Sequence, residues 1–234
     1  MRGKLYCIGI GPGDPELLTL KAVRLLNECE VVAMPKGDNE KMTAKEIINQ
    51  VVDIDKKEQL LINMPMTKDA IKLKTAHQDG ADAIIELLDQ GKDIAFITLG
   101  CPTVYATCIY VHKLVLAAGY EAELVAGVTS FCAVAAKLNV SLCEQSEPLI
   151  ILPGSYKESL KFVDGPGNKV LMKSGGEIKR VCDELGDRGL LNNAAMVERC
   201  GLPGERVYHD LKEVDSNNSY FSIILVKEKE FGRA

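Results

Sequence analysis

Short apolar, β-prone runs alternate with longer stretches in which apolar residues recur every three or four positions, and this rhythm organises the first half of the chain. Leu5–Ile10 reads as a strand. The turn Gly11-Pro12-Gly13-Asp14-Pro15 follows, then an amphipathic helix carrying Leu17, Leu18, Leu20, Val23, Leu25 and Leu26. Val31–Met34 predicts a second strand, Thr43–Val52 a helix, Gln59–Ile62 a short strand and Ala70–Gln90 a long helix capped by Gly91. Asp93–Thr98 is the next strand, and Thr103–Ala118 a further helix closed by Gly119. Such alternation predicts a mostly parallel sheet flanked by helices.

The pattern restarts at Glu121. Glu121–Val125 reads as a strand leading through Ala126-Gly127-Val128 into a helix at Thr129–Leu138, with Thr129 or Ser130 as its cap. Further strands are expected at Leu149–Leu152, Lys169–Met172, Ala194–Val197, Arg206–Tyr208 and Phe221–Val226, separated by glycine-rich turns. The fold class is therefore α/β, as two α/β domains, 1–119 and 120–234.

Composition narrows the function. The 234 residues are 47% hydrophobic and 26% charged, an ordinary globular balance, and the net charge of −5 argues against nucleic acid as a bulk partner. The start runs directly into a strand, so no signal peptide is expected. No apolar run approaches a membrane span, and a cytoplasmic protein is expected. Eight cysteines form no C-x-x-C pair; most sit in apolar runs, as Cys7 and Cys132 do, and read as buried free thiols. Cys108 and His112, four apart on a helix, have no further ligand nearby, so no metal site is expected.

The first turn carries the strongest chemical signal. Gly9, Gly11 and Gly13 follow a strand, but Asp14 and Pro15 come next, so the dinucleotide spacing fails. A carboxylate stands where a helix N-terminus would hold a pyrophosphate. The second strand ends in Pro35-Lys36, with no acid for a ribose hydroxyl, which disfavours an NAD-dependent dehydrogenase. The turn suits an adenine-bearing ligand without phosphates. Three further strand exits share the layout: Thr98-Leu99-Gly100-Cys101-Pro102-Thr103-Val104-Tyr105, Gly127-Val128-Thr129-Ser130-Phe131 and Leu171-Met172-Lys173-Ser174.

In this order, the four segments resemble the tetrapyrrole methylase family over nearly the whole chain. Within it, the resemblance points to methyltransferases acting on carbon 20 of precorrin-2 or cobalt-factor II in corrin (vitamin B12) synthesis. It implies two α/β domains, a homodimer, and S-adenosylmethionine held folded in the cleft between domains. Carried over by motif, the cofactor contacts are Pro12, Leu99, Gly100, Cys101, Val104, Thr129, Ser130, Met172 and Gly201. The family usually has Asp where this chain has Cys101, and Pro where it has Ala126. A sulfonium cofactor needs carbonyls, hydroxyls and an apolar adenine slot rather than a phosphate cradle.

The reaction so implied moves a methyl group from sulfur to a meso carbon of a reduced tetrapyrrole. The macrocycle is itself the nucleophile, so alignment and a modest base suffice. Lys173 and Tyr220 resemble the family's polar cleft residues and are the catalytic candidates. Lys21, Arg24, Lys36, Lys41 and Lys45 are candidate cations for the substrate carboxylates. The cysteine-rich, tryptophan-free composition points toward the cobalt-containing substrate. The competing readings are a relative methylating protein or ribosomal RNA and a non-catalytic S-adenosylmethionine-binding module.

Overall fold

Leu5, Cys7 and Ile8 are all fully buried, so the first strand lies inside a sheet covered on both faces rather than at a half-solvated edge. The computed structural model describes residues 2–36, 43–214, 221–229 and 231. The first part contains β1 (Leu5–Gly9), α1 (Leu20–Glu28), β2 (Val31–Lys36), α2 (Thr43–Ile48), β3 (Glu58–Asn63), α3 (Ala70–Asp89), β4 (Ile94–Thr98), α4 (Cys108–Ala117) and β5 (Ala122–Val125). All five strands are parallel, in the order β3-β2-β4-β1-β5. Leu5 of β1 stands opposite both Ile94 and Ala122. One face of the sheet, with Leu5, Cys7, Ala33 and Phe96, packs against Ala81, Ile84 and Leu88 of α3 and Val111 and Val115 of α4.

Two helix starts fall later than the periodicity suggests, each for a local reason. Asp14 caps a 3-10 turn at Pro15–Leu17, accepting from Glu16 N at 2.9 Å. Leu18 is then extended, and Thr19 opens α1 by accepting from Ala22 N at 3.1 Å. Leu20 consequently lies on the outer face, 90% exposed, not in the core. The expected helix from Thr103 begins only at Cys108, because Tyr105 holds φ at +49° and a right-handed helix cannot run through it.

The second part contains α5 (Ser130–Lys137), β6 (Leu149–Pro153), α6 (Lys157–Leu160), β7 (Asn168–Met172), α7 (Ile178–Asp187), β8 (Ala194–Glu198), β9 (Arg206–Tyr208) and β10 (Ser222–Val226). Its sheet is mixed, ordered β6-β7-β10-β8-β9. β6 and β7 are parallel, whereas β10 runs antiparallel to both β7 and β8. Helix α7 was not anticipated, although Ile178, Val181 and Leu185 form a spaced apolar stripe that joins Leu171, Met196 and Ile224 in the core.

The chain divides into compact units at Met1–Thr129 and Ser130–Ala234, ten residues beyond the expected 119/120 boundary. The pairing of β5 with β1 keeps residues 120–129 with the first sheet. All eight cysteines are free thiols. Cys7, Cys29, Cys101 and Cys108 are buried, but Cys132 and Cys143 are exposed, because Cys132 falls on the outer side of α5. Among the described residues no helix is long and apolar enough to cross a membrane, and no group of three ligands that could hold a metal is found.

The edge strand β5 is tied down by charge. Glu123 accepts from Lys21 at 2.6 Å and from Lys4 at 2.8 Å. Those two ammoniums hold its carboxyl down at about 2, against an ordinary 4.5. The folded-state value lies below the unfolded one, so the stabilisation is complete above pH 4.5 and fades as pH falls toward 2. We predict that Glu123→Gln lowers the melting temperature at neutral pH. Between pH 5 and 3 the variant should lose less further stability than wild type. Parallel melting curves of the two proteins across that range would contradict the assignment.

Candidate functional site

The carboxyl ends of β1, β4 and β5 approach one another more closely than side chains permit. A Cβ on Gly9 would lie 2.6 Å from Gly100 O and 2.7 Å from Gly127 N; one on Gly127 would lie 2.3 Å from Gly100 O. Gly100 N also donates to Gly11 O at 2.7 Å, and Gly11 N to Gly100 O at 3.3 Å, forming an isolated antiparallel bridge. Backbone alone therefore joins the first turn to the two later exits. Pro12 is buried in that turn, Leu99, Gly100 and Val104 are half-buried, and Thr129 closes the third segment with Ser130 following it. The Thr129 hydroxyl is shielded from solvent and finds no partner among the described residues. A glycine-walled edge with an orphaned hydroxyl offers backbone and hydroxyl groups to a polar ligand.

Cys101 sits in this edge as a buried thiol, 7% exposed. Its Sγ lies 3.0 Å from Thr103 Oγ1. Burial pushes the thiol up, but hydrogen bonds from the Thr103 hydroxyl and from the Gly127 and Thr103 backbone N–H groups outweigh it. The net result lies below the ordinary thiol value. Three donors converging on one sulfur would suit a carboxylate equally well. Behind this edge, Cys7 is hydrogen-bonded to Cys108, and that bond and burial raise its pKa far above the ordinary range. Burial likewise pushes the His112 imidazole down.

The second sheet has its own edge. Gly154 N donates to Met172 O at 2.7 Å as β6 and β7 end side by side. Ser174 is completely buried, and its Oγ has no partner among the described residues. That oxygen lies 2.2 Å from where a Gly154 Cβ would stand. Lys173, between Met172 and Ser174, adopts φ +56°. Burial lowers the pKa of its amine, which favours the neutral, proton-accepting form. After β8, Gly201 N donates to Glu205 Oε2 at 2.8 Å, and Glu205 pairs with Lys137 at 2.5 Å. Tyr220 and Lys41 lie outside the described residues.

Three of the expected substrate-binding cations are already engaged. Lys21 bonds Glu123, Arg24 pairs with Glu28, and Lys45 pairs with Asp55 at 2.9 Å while donating to Gln59 at 3.0 Å. Lys21 thereby joins α1 to β5, the Arg24 pair lies within α1, and Lys45 joins α2 to the turn that precedes β3. Lys36 is exposed at the carboxyl end of β2. The sequence reading passed over Arg199, which adopts φ +54° at the exit of β8. Nothing in residue type or spacing signals that conformation.

The model of the Tetrapyrrole (Corrin/Porphyrin) Methylases matches residues 4–215. The chain belongs to this family. It is 35% identical over 233 residues to the probable cobalt-precorrin-2 C(20)-methyltransferase of Methanocaldococcus jannaschii, covering 96% of each chain. It is 30% identical over 234 residues to the cobalt-precorrin-2 C(20)-methyltransferase of Salmonella typhimurium, covering 98% of each. Among solved structures, this tetrapyrrole methylase is similar in fold to a cobalt precorrin-4 methyltransferase, at TM-score 0.74, 21% identity and coverage of 96% and 94%. It is also similar to the uroporphyrin-III C-methyltransferase of Thermus thermophilus complexed with S-adenosylhomocysteine, at TM-score 0.68, 24% identity and coverage of 97% and 98%.

The glycine contact generates a direct test. In Gly127→Ala the added methyl meets Gly100 O at 2.3 Å, and overpacking against backbone has no flexible neighbour to absorb it. We expect a lower melting temperature and at least about tenfold weaker S-adenosylhomocysteine binding by calorimetry, equivalent to roughly 1.4 kcal/mol. Affinity within twofold of wild type would show that the three-glycine contact does not shape the ligand site.

Proposed function

We propose that this tetrapyrrole methylase methylates carbon 20 of cobalt-factor II, or of its metal-free counterpart precorrin-2, in cobalamin biosynthesis. The observation that carries the reading is similarity over almost the full length to two relatives named as cobalt-precorrin-2 C(20)-methyltransferases. A precorrin-2 C(20)-methyltransferase of Sinorhizobium, 28% identical over 235 residues, represents the metal-free branch. We favour the cobalt-containing substrate: the Methanocaldococcus and Salmonella relatives are named for cobalt-precorrin-2. A central metal also stiffens the macrocycle, lowering the ordering cost of presenting one meso carbon.

S-adenosylmethionine supplies an electrophilic methyl group on a sulfonium sulfur. In the proposal, Pro12, Leu99, Gly100, Cys101, Val104, Thr129, Ser130, Met172 and Gly201 hold it. The orphaned Thr129 hydroxyl and the backbone groups at the glycine contact support that role. The first turn disfavours a phosphate competitor, since Asp14 itself occupies the N–H of Glu16. Lys173 Nζ accepts the proton released from the methylated carbon, a role supported by the lowered pKa of its half-buried amine. Tyr220 is the second catalytic candidate. We further infer a homodimer working in the cytoplasm.

One experiment tests the reaction. Wild-type protein is incubated with labelled S-adenosylmethionine and each tetrapyrrole, and the pigment is analysed by mass and by the position of the label. One methyl group at carbon 20, with a higher kcat/KM for cobalt-factor II, is expected. Lys173→Ala should lose turnover while S-adenosylhomocysteine still raises the melting temperature. NAD and ATP should leave the melting temperature unchanged. Binding of S-adenosylhomocysteine with no turnover of either tetrapyrrole would favour the binding-module reading, and a shift with NAD alone would overturn the cofactor.

The thiol nest adds a second expectation. In Cys101→Asp a carboxylate inherits donors already aimed at the sulfur. Cofactor binding should tighten by about 1–2 kcal/mol, the worth of one charge-assisted hydrogen bond, with the protein still folded. Calorimetry showing equal or weaker affinity, together with unchanged turnover, would contradict this.

A further inference from the structure

Non-glycine residues with left-handed backbone are few among the described residues: Tyr105, Asn139, Gln145, Lys173 and Arg199. Lys173 and Arg199 both stand at strand exits of the second sheet, one after β7 and one after β8. L side chains rarely adopt this conformation, and where a fold enforces it the cause is commonly functional. The sheet order places β10 between those two strands. Arg199 N donates to Phe221 O at 2.8 Å as the chain enters β10. Lys173 and Arg199 thus flank the beginning of β10, their backbones about 10 Å apart, two strand spacings.

Among the described residues, no carboxylate neutralises the charge of Arg199. Its Nε donates to Pro203 O at 2.7 Å, which fixes the guanidinium plane while leaving its two Nη groups for another acceptor. The nearest acids in sequence are engaged elsewhere. Glu198 is buried and bonded to Arg206 at 2.7 Å, and Glu205 is held by Lys137 and by Gly201 N. Among the described residues, Arg199 forms no ion pair. Of the five cations suggested by sequence, Lys21, Arg24 and Lys45 are engaged by acids of the first unit, which leaves room for a cation of the second unit to meet a polycarboxylate substrate.

We propose that Arg199 is a substrate-positioning residue that binds a peripheral carboxylate of the tetrapyrrole through its guanidinium fork. The inference rests on the tetrapyrrole reading above and adds a specific anchor to it. The fork suits a carboxylate bidentately. Held there, the carboxylate fixes the macrocycle's rotation relative to Lys173 across β10. Arg199 therefore governs substrate binding and not the transfer step, and its contribution is electrostatic.

The test uses the full chain and Arg199→Asn, since asparagine tolerates the left-handed backbone and removes the charge. Arg199→Lys retains charge without the fork, and Arg199→Gln is read in place of the asparagine variant if that one fails to fold. Cobalt-factor II binding to protein saturated with S-adenosylhomocysteine is followed by absorbance, and KM and kcat are measured with S-adenosylmethionine saturating. For Arg199→Asn we expect Kd and KM for cobalt-factor II to rise at least about tenfold, kcat to stay within threefold, and S-adenosylhomocysteine affinity to be unchanged. Arg199→Lys should fall between the two proteins. A KM within twofold of wild type in the charge-removing variant overturns the proposal, as does cofactor affinity falling in step with KM, which would make Arg199 only a latch for the 199–204 turn. Wild type that binds the tetrapyrrole without methylating it refutes the reaction and leaves Arg199 to be decided by the binding ratio. Wild type that does not bind it refutes both.

Discussion

Everything at the first sheet's carboxyl edge depends on three backbones meeting where no Cβ fits. Gly9, Gly100 and Gly127 come from segments far apart in sequence, yet the atoms of each occupy the volume a side chain of another would need. The contact fixes the positions of the first turn, the Leu99–Val104 loop and the approach to Thr129 together. It also exposes carbonyl and N–H groups along that edge without intervening side chains. The Gly11–Gly100 bridge extends the same contact by one more pair. A local displacement of any one exit would be felt by the other two, since close-packed backbone has no rotamers to adjust.

The second sheet solves the same problem with different means. There the edge is made from strained non-glycine residues, Lys173 and Arg199, and from a buried serine whose hydroxyl fills the space left by Gly154. Ladder and turn bonds hold the strain in place: Gly154 N to Met172 O, and Arg199 N to Phe221 O. The first edge thus offers neutral backbone dipoles, whereas the second offers long nitrogen-bearing side chains, an amine whose pKa burial lowers and a guanidinium.

Much of this was legible in the chain. Strand positions follow from runs such as Leu5–Gly9 and Ile94–Thr98, where nearly every residue is buried and apolar. The failure of the dinucleotide spacing was legible too, and Asp14 occupies the N–H that spacing would have left open. Other features depend on tertiary context. The late start of α4 follows from the φ of Tyr105, and β-pairing, not glycine punctuation, carries residues 120–129 into the first unit. Lys21 and Lys45 looked available because a sequence shows charges but not their partners. Cys132 lies in an apolar run on a helix, but its direction from that helix exposes it. Helix α7 carries apolar residues at helical spacing, but Gly175, Gly176, Gly186 and Gly189 in and around it lower its local helix preference, and packing in the core decides it.

The placement of β10 has a consequence for how the chain acquires its structure during synthesis. It is the last strand described, yet it lies in the middle of its sheet, between β7 and β8. Until Ser222–Val226 has left the ribosome, the second sheet exists only as two separate pairs, β6 with β7 and β8 with β9, each with an apolar edge unpaired. The first sheet, by contrast, has all its strands by Val125. Vectorial synthesis therefore completes the first sheet well before the second, which stays open until its central strand is made. During that interval the nascent chain is most exposed to edge-to-edge association with another copy or to capture by a chaperone.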